Sequence, residues 1–350
     1  MRIRFLTSTP LDIVRGSGTF VGIHVLARAL AGLGHTVDIE SPRLRLPVYT
    51  AQRLVFNRGL RADGGFDLTI GFDLDGYRIA SRERHVAALK GVIADEVLFE
   101  RGLTRLTMGM QARWERMHVH RAARVLATSR YSANRAQELY GLAEMPAVVP
   151  ELIELDSWRK LLAERSASSG RFTVLSVGRF YRRKRIDLLL RAAAELRSRI
   201  RDLEVRVVGN GPCNESWRRL ARELRLEGTV TWLGDISRSA LACEFNRAQV
   251  FCLPSVQEGF GIVLLEALAA GKAIVAARAA AIPETAPHAM LVEPERFEAL
   301  AEGIERLYPE AARAKQLREA AQWVEQFDAP LVARRFLEAA GGALVSGTPA

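Results

Sequence analysis

Short apolar runs alternate with helical stretches from residue 172 to residue 277. The order is "FTVLSVG", a helix from about Ile186 to Arg199, "EVRVVG", "ESWRRLARELRL", "TVTWLG", a helix near 237 to 247, "VFCLPS", a helix over about 261 to 270, and "AIVAA". Such alternation reads as a parallel sheet, whose neighbouring strands can be joined only by crossovers. The first half alternates too: "RIRFLTS", a helix from about Thr19 to Leu33, "HTVDIE", "FDLTIGF", "RHVAALK", "RVLATS" and "YSANRAQELYG". Two doubly wound α/β domains in tandem are therefore expected, with a cleft between them. A length of 350 residues fits two cores better than one.

Between the halves, "PELIELDSWRKLLAERSASSGR" breaks the pattern with a proline and then a Ser/Gly-rich stretch. It sets the expected boundaries: a domain over residues 1–150, a linker over 151–171 and a second domain over 172–325. The final segment, 326–350, and the run "AKQLREAAQWVEQ" before it read as amphipathic helices that pack back on the first domain.

Three cysteines, Cys213, Cys243 and Cys252, form no CxxC pair and have no histidines at ligand spacing, so neither a disulfide framework nor structural zinc is expected. The six histidines form no metal-like cluster, and no metal site is expected. The start, "MRIRFLTSTPLDIVRG", is strand-like and lacks the charged-then-apolar order of a secretory leader. No apolar stretch approaches the ~18 residues that span a bilayer. A cytoplasmic location is expected, with the inner face of the membrane as a surface to rest on. The net charge of +10 is uneven: residues 1–150 carry 21 Lys/Arg against 14 Asp/Glu, and the remainder 29 against 26. Such a surplus serves nucleic acid, anionic lipid or anionic small molecules. No aromatic-interleaved basic stripe supports nucleic acid.

In an open parallel sheet, ligands sit beyond the carboxyl ends of strands, and the informative residues fall there. After "VFCLPS" the turn Glu258-Gly259-Phe260-Gly261 opens a helix. The first amides of a helix lack internal partners and favour a phosphate, so Gly259, Phe260, Gly261, Ile262 and Val263 are candidate phosphate contacts. Glu266 lies in the second turn of an otherwise apolar helix, where an ionised carboxylate needs a partner from the chain or from a ligand. After "FTVLSVG" come Arg179 and then Lys184 at a helix entrance, two cations suited to a diphosphate, whereas Arg182, Arg183 and Arg185 read as solvated. Gly209 and Gly211 form a tight turn after "EVRVV" that would expose backbone donors, a weak signal taken alone. Gly16 and Gly18, just before the first long helix, are candidate donor contacts, although glycines at 16, 18 and 22 do not complete a G-x-G-x-x-G fingerprint.

Together the pieces "VGRFYRRKRIDLLLRA", "VRVVGNGP", "VTWLGD", "VFCLPSVQEGFGIVLLEALAAGKAIVA" and "IPET" resemble, in order and spacing, the donor domain of the retaining family-four glycosyltransferases of GT-B architecture. Glu258 and Glu266 reproduce the family's E-x7-E pair. The resemblance is strong over about 172–310. In the first half it is weaker and rests on the Gly16/Gly18 loop, "GLGHTVDI" and "TSRYSANRAQELYG".

The resemblance implies that Glu266 binds the nucleotide ribose, that Arg179 and Lys184 hold the diphosphate, and that Glu258 contacts the donor sugar. The family often carries histidines after "DLTIGF" and "HVAALK"; here Asp73, Asp75 and Lys90 become candidates for donor or acceptor contact. The implied reaction moves a sugar from a UDP- or GDP-linked donor to an acceptor hydroxyl with retention, in cell-surface polysaccharide or glycolipid synthesis. It needs no metal and no cofactor beyond the nucleotide-sugar co-substrate, since the cations and helix amides stabilise the leaving diphosphate. The acceptor is a glycan, a lipid-linked sugar or a small molecule, and the basic first half suits an anionic membrane as a peripheral contact. The alternative is a catalytically silent sugar-nucleotide or glycan binding module.

Overall fold

The structure, a computed structural model, describes residues 1–9, 18–42, 46–164, 170–320 and 322–341, with only the backbone for 18–20. Two compact units emerge, Met1–Leu152 with Ala329–Ala350, and Ile153–Asp328.

Unit 1 holds strands β1 (Arg2–Leu6), β2 (Thr36–Glu40), β3 (Leu68–Phe72), β4 (His85–Leu89), β5 (Arg124–Ala127) and β6 (Ala147–Val148). Their order is β2-β1-β3-β4-β5-β6, with every pairing parallel. Unit 2 holds β7 (Phe172–Val177), β8 (Leu203–Val208), β9 (Val230–Gly234), β10 (Val250–Leu253), β11 (Ala273–Ala277) and β12 (Met290–Val292). Here the order is β12-β11-β10-β7-β8-β9, again all parallel.

The central strands β3, β4, β10 and β11 are buried at every residue, as strands covered by helices on both faces must be. Ile186–Leu196 illustrates the covering layer: Ile186, Leu189, Leu190, Ala193 and Leu196 recur at helical spacing and enter the core beneath Val174 and Val205. In unit 1, Ala329–Gly341 lays Val332, Ala333, Phe336 and Ala340 against the core that Ile23, Leu26 and Leu30 of the helix Gly18–Gly32 help to build.

Two expectations need correction. The stretch read as a linker contains a helix, Leu155–Ala163, whose Trp158 is fully buried beside Phe245 and donates from Nε1 to the Glu266 backbone oxygen at 3.0 Å. Leu155, Trp158 and Leu162 supply an apolar stripe that the flanking Ser/Gly-rich run obscures. The helix Glu310–Ala320 does not return to unit 1; Gln316 clamps both the amide and the carbonyl of Ile274 on β11, at 2.7 and 3.0 Å. A parallel bridge between Ile153 and Asp328 joins the first and last residues of unit 2.

If the segment 151–171 is part of the unit 2 core, Trp158→Ala should lower unfolding stability by roughly 3–5 kcal/mol. Chemical denaturation of the variant checks this, and a loss near zero would restore the linker reading.

Candidate functional site

In unit 2 the chain moves from β7 to β8 and β9 on one side and places β10 on the other, so the strand order reverses between β7 and β10. The loops beyond the carboxyl ends of these two strands frame the place where an open α/β sheet offers a crevice. The β7 loop runs from Gly178 to Arg185 and the β10 loop from Pro254 to Gly261. Val256 N donates to Arg183 O at 2.9 Å and ties the loops together. Across the same junction Lys184 Nζ donates to Glu258 Oε1 at 2.6 Å, with side chains 15% and 9% exposed. Ser176 Oγ on β7 and Ser255 Oγ after β10 are buried with no hydrogen-bond partner among the described residues.

The β10 loop delivers the chain into the helix Ile262–Ala269. Its N-cap, Gly261, has φ +90, and an added Cβ would lie 3.1 Å from Leu264 Cδ1, so the turn requires glycine. No side chain caps this helix, and the amides of Ile262 and Val263 precede the first intrahelical donor, Leu264 N, which bonds Gly261 O at 2.8 Å. Glu266 is buried, and its partner is in the chain: Arg238 Nη1 donates to Oε1 at 2.8 Å. Among the described residues Oε2 has no hydrogen-bond partner. Burial raises the Glu266 pKa and Arg238 opposes the rise. Arg238 stands in the first turn of the helix Arg238–Arg247, where the macrodipole disfavours a cation. It stacks 4.6 Å over the Trp158 ring. A cation in that unfavourable position was the available sequence signal for a carboxylate partner.

Other candidates separate from this cluster. Arg179 faces Asp235, beyond β9, at 3.7 Å, so the two expected phosphate cations are held by different carboxylates. Gly209 does not present a free donor: its amide bonds Gly234 O at 2.8 Å, and its Cβ would fall 2.0 Å from Gly178 O. Gly211 likewise donates to Asn210 Oδ1 at 2.8 Å, so both glycines serve the packing of the β8 loop on the β7 loop. Phe260 is a core residue, edge-on to Phe327, while its carbonyl accepts from Thr285 Oγ1 at 2.7 Å. Gly259 lies in the β10 loop. Arg183 and Arg185 are half-buried and not solvated; Arg185 is paired with Asp187 at 3.2 Å and with Glu295.

In unit 1 the order reverses between β1 and β3, and a buried polar network fills the carboxyl ends of these strands. Asp75 is fully buried and takes the Ser8 amide at 2.6 Å, the Ser8 hydroxyl at 2.7 Å and Asn57 Nδ2 at 2.8 Å. These donors tie the end of β1, the end of β3 and Asn57 together. Asp73, in a left-handed turn, accepts from Lys90 N at 2.8 Å and faces Arg53 at 3.7 Å; burial pushes its pKa up to about 6 against the pull of Arg53. Lys90 is committed to Glu151 at 2.8 Å. Arg53 and Asn57 belong to the helix Tyr49–Gly59, which the sequence reading did not identify. His85 and His118, read separately from sequence, meet at 2.7 Å, and burial lowers the His118 pKa to about 3. Gly18 is the first residue of the helix Gly18–Gly32; Gly16 lies outside the described residues.

Two six-stranded parallel sheets, each with its crevice at the strand-order reversal, define the GT-B class. The solved structure of sucrose-phosphate synthase from Thermosynechococcus elongatus matches with a TM-score of 0.80 at 22% identity, over 99% of this chain and 100% of that one. Anabaena HepE, solved in complex with UDP-glucose, matches with a TM-score of 0.71 at 18% identity, over 98% and 100%. Residues 159–323 match the family described as glycosyl transferases group 1, and the domain they form belongs to it. A curated relative, the GDP-mannose-dependent alpha-(1-6)-phosphatidylinositol monomannoside mannosyltransferase of Mycolicibacterium smegmatis, is 30% identical over 207 residues, 53% of this chain and 54% of that protein. The chain spans about half the length of the curated relatives it matches.

The Glu266–Arg238 pair sets a pH dependence. Because burial raises the Glu266 pKa, the folded protein binds its proton more tightly than the unfolded chain does, and stability falls as pH rises from the ordinary carboxylate range through the folded value. Arg238→Met removes the opposing charge, so it should deepen that fall and cost about 1–3 kcal/mol at mildly alkaline pH, with less lost at acidic pH. Urea denaturation at both pH values measures it; equal losses would show that the pair is not what Arg238 contributes.

Proposed function

We propose that the chain is a glycosyltransferase that transfers a sugar from a nucleotide-diphosphate sugar to an acceptor hydroxyl, with retention at the anomeric carbon and without a metal. The observation that carries this reading is the Lys184–Glu258 contact of 2.6 Å at the strand-order reversal, four residues along the chain from the helix start at Ile262, whose first amides make no hydrogen bond among the described residues. A cation, a carboxylate and a helix start are the parts a departing diphosphate and a sugar ring require.

In this reading the diphosphate takes Lys184 from Glu258 and lies on the helix amides. Arg179, held by Asp235 only at 3.7 Å, turns to join it at little cost. The freed Glu258 accepts hydrogen bonds from sugar hydroxyls, and Glu266 offers its second carboxylate oxygen to the ribose while Arg238 holds the first. The bond from the anomeric carbon to the phosphate oxygen breaks with its electron pair on the phosphate. The acceptor oxygen then bonds the carbon on the same face, and its proton passes to the leaving phosphate oxygen. Acceptor contacts fall to the carboxyl ends of the unit 1 strands, where Asp73 and Lys90 stand.

Both GDP and UDP donors are represented among the similar proteins, and the mannosyltransferase named above acts on a glycolipid, which supports a lipid-linked or glycan acceptor here.

Glu258→Gln and Lys184→Ala should each reduce turnover about a hundredfold or more, with activity in the wild type indifferent to chelator and the product anomer matching the donor's by proton NMR. A thermal-shift panel of UDP, GDP and their sugars identifies the donor, since a ligand that binds only the folded state raises the melting temperature. Wild-type rates in both variants would sink the assignment of these residues, and nucleotide-sugar binding without any transfer would mark the chain as a binding module.

A further inference from the structure

Unit 1 contains a cavity of about 630 Å³ between the helices Tyr49–Gly59 and Gly102–Arg121, floored by the turn that leads into β4. Four guanidinium groups line it, from Arg58, Arg78, Arg82 and Arg121, and no carboxylate does among the described residues. Arg121 Nη1 donates to Tyr77 O at 2.9 Å. The side chains of Arg58, Arg78 and Arg82 make no hydrogen bond or ion pair among the described residues. Tyr77 and Trp114 stack face to face across the wall, with centroids 6.0 Å apart and planes within 3°. Burial raises the Tyr77 phenol pKa, and the charges of Arg78, Arg58 and Arg121 pull it back, so three of the four cations act on one point.

Arginines packed into the protein elsewhere meet carboxylates: Arg135 meets Asp95 at 2.8 Å, Arg238 meets Glu266 at 2.8 Å, and Arg206 lies between Glu204 and Glu244; the four exposed arginines gathered here meet none among the described residues. Like charges gathered in one concave site raise each other's energy until an anion enters, and such a site concentrates anions. The planar forks match phosphate geometry.

We propose that this cavity is a second anion site that binds a phosphoryl group, apart from the crevices at the strand-order reversals. Arg82 and Arg121 lie just before the amino ends of β4 and β5, at the opposite end of the sheet from Asp73 and Asp75. On the helix Gly102–Arg121, Gln111, Glu115 and His118 turn inward, whereas Trp114 and Arg121 line the cavity. The same stripe continues along that helix as Leu103, 75% exposed, Leu106, 65% exposed, and Met110. A phosphoryl group with an apolar portion matches both features. It arrives either on a free solute or on a lipid headgroup, and the two sources share the same contacts. The site stands independently of sugar transfer.

The test is made in a Lys184→Ala background, which removes the crevice cation from competition for the probe, and compares that protein with versions that also carry Arg58→Gln/Arg78→Gln/Arg82→Gln or the corresponding three lysines. Binding of inorganic pyrophosphate is measured by equilibrium dialysis, and binding to vesicles of phosphatidylglycerol in phosphatidylcholine by co-sedimentation. Adding the three glutamines should lower affinity for at least one probe about tenfold or more, 1.4 kcal/mol or above, with the lysine version intermediate. Loss for pyrophosphate alone identifies a free solute, and loss for vesicles alone a headgroup. The substituted arginines are exposed, so melting curves should match those of the parent. If the glutamine version is folded and binds both probes as its Lys184→Ala parent does, the site is overturned.

Discussion

Every strand pairing in the two sheets is parallel, so each strand hands the chain to a crossover at its carboxyl end and receives it back at its amino end. Covering the sheets on both faces removes charge from the strand interiors: β3, β10 and β11 carry none. Charged chemistry is pushed to strand ends, and where the order reverses two such ends diverge and leave a crevice. The Lys184–Glu258 pair follows from this constraint in unit 2, and the Asp73–Arg53 pair in unit 1.

Four carboxylates at these ends differ in how completely the fold has used them. Asp75 has taken three donors and is fully buried, so its charge is spent on holding β1, β3 and the helix Tyr49–Gly59 together. Glu258 has one cationic partner and Glu266 one occupied oxygen. A carboxylate that can exchange a flexible lysine for hydroxyls loses little on ligand binding, whereas one saturated by backbone and amide donors would leave those donors unsatisfied. The number of remaining lone pairs, more than burial, separates residues fit for a ligand from residues fit for architecture. All four are less than a tenth exposed.

Much of unit 2 was legible because its elements are locally consistent. Apolar strands, a helix with leucines at 3.6-residue spacing and a Gly-Phe-Gly turn each point to one conformation. Glu258 and Lys184 were found because they flank such turns. What sequence could not give were the partners: Arg238 reaches Glu266 from another crossover, and Asp235 reaches Arg179 from the end of β9. Gly209 and Gly211 look like ligand-facing glycines in sequence, yet what they avoid is the backbone of Gly178 and Phe180, which lies far away along the chain. The helix Leu155–Ala163 was concealed by its polar neighbours, and its burial depends on Phe245 and Glu266, which only tertiary packing brings close.

The helix Gly102–Arg121 escaped sequence reading for a different reason. Its inward residues are Gln111, Glu115, His118 and Val119, and its outward ones include Leu103, Leu106, Met110 and Met117. An amphipathic pattern is therefore present but inverted over much of the helix, because part of the layer beneath it is the polar network around Arg53 and Asp73, while Val119 and Trp114 still meet apolar clusters. Inward, Glu115 accepts from the Ile93 amide at 2.7 Å and from the Tyr140 hydroxyl, and Gln111 bridges Arg53 and Thr50. Hydrogen bonds in a low-dielectric interior thus add to apolar packing in keeping the helix attached. Leu103 and Leu106, on its outward stripe, lie outside those apolar clusters and are exposed. An exposed apolar stripe beside guanidinium groups that meet no carboxylate among the described residues is the pair of features on which the second anion site rests.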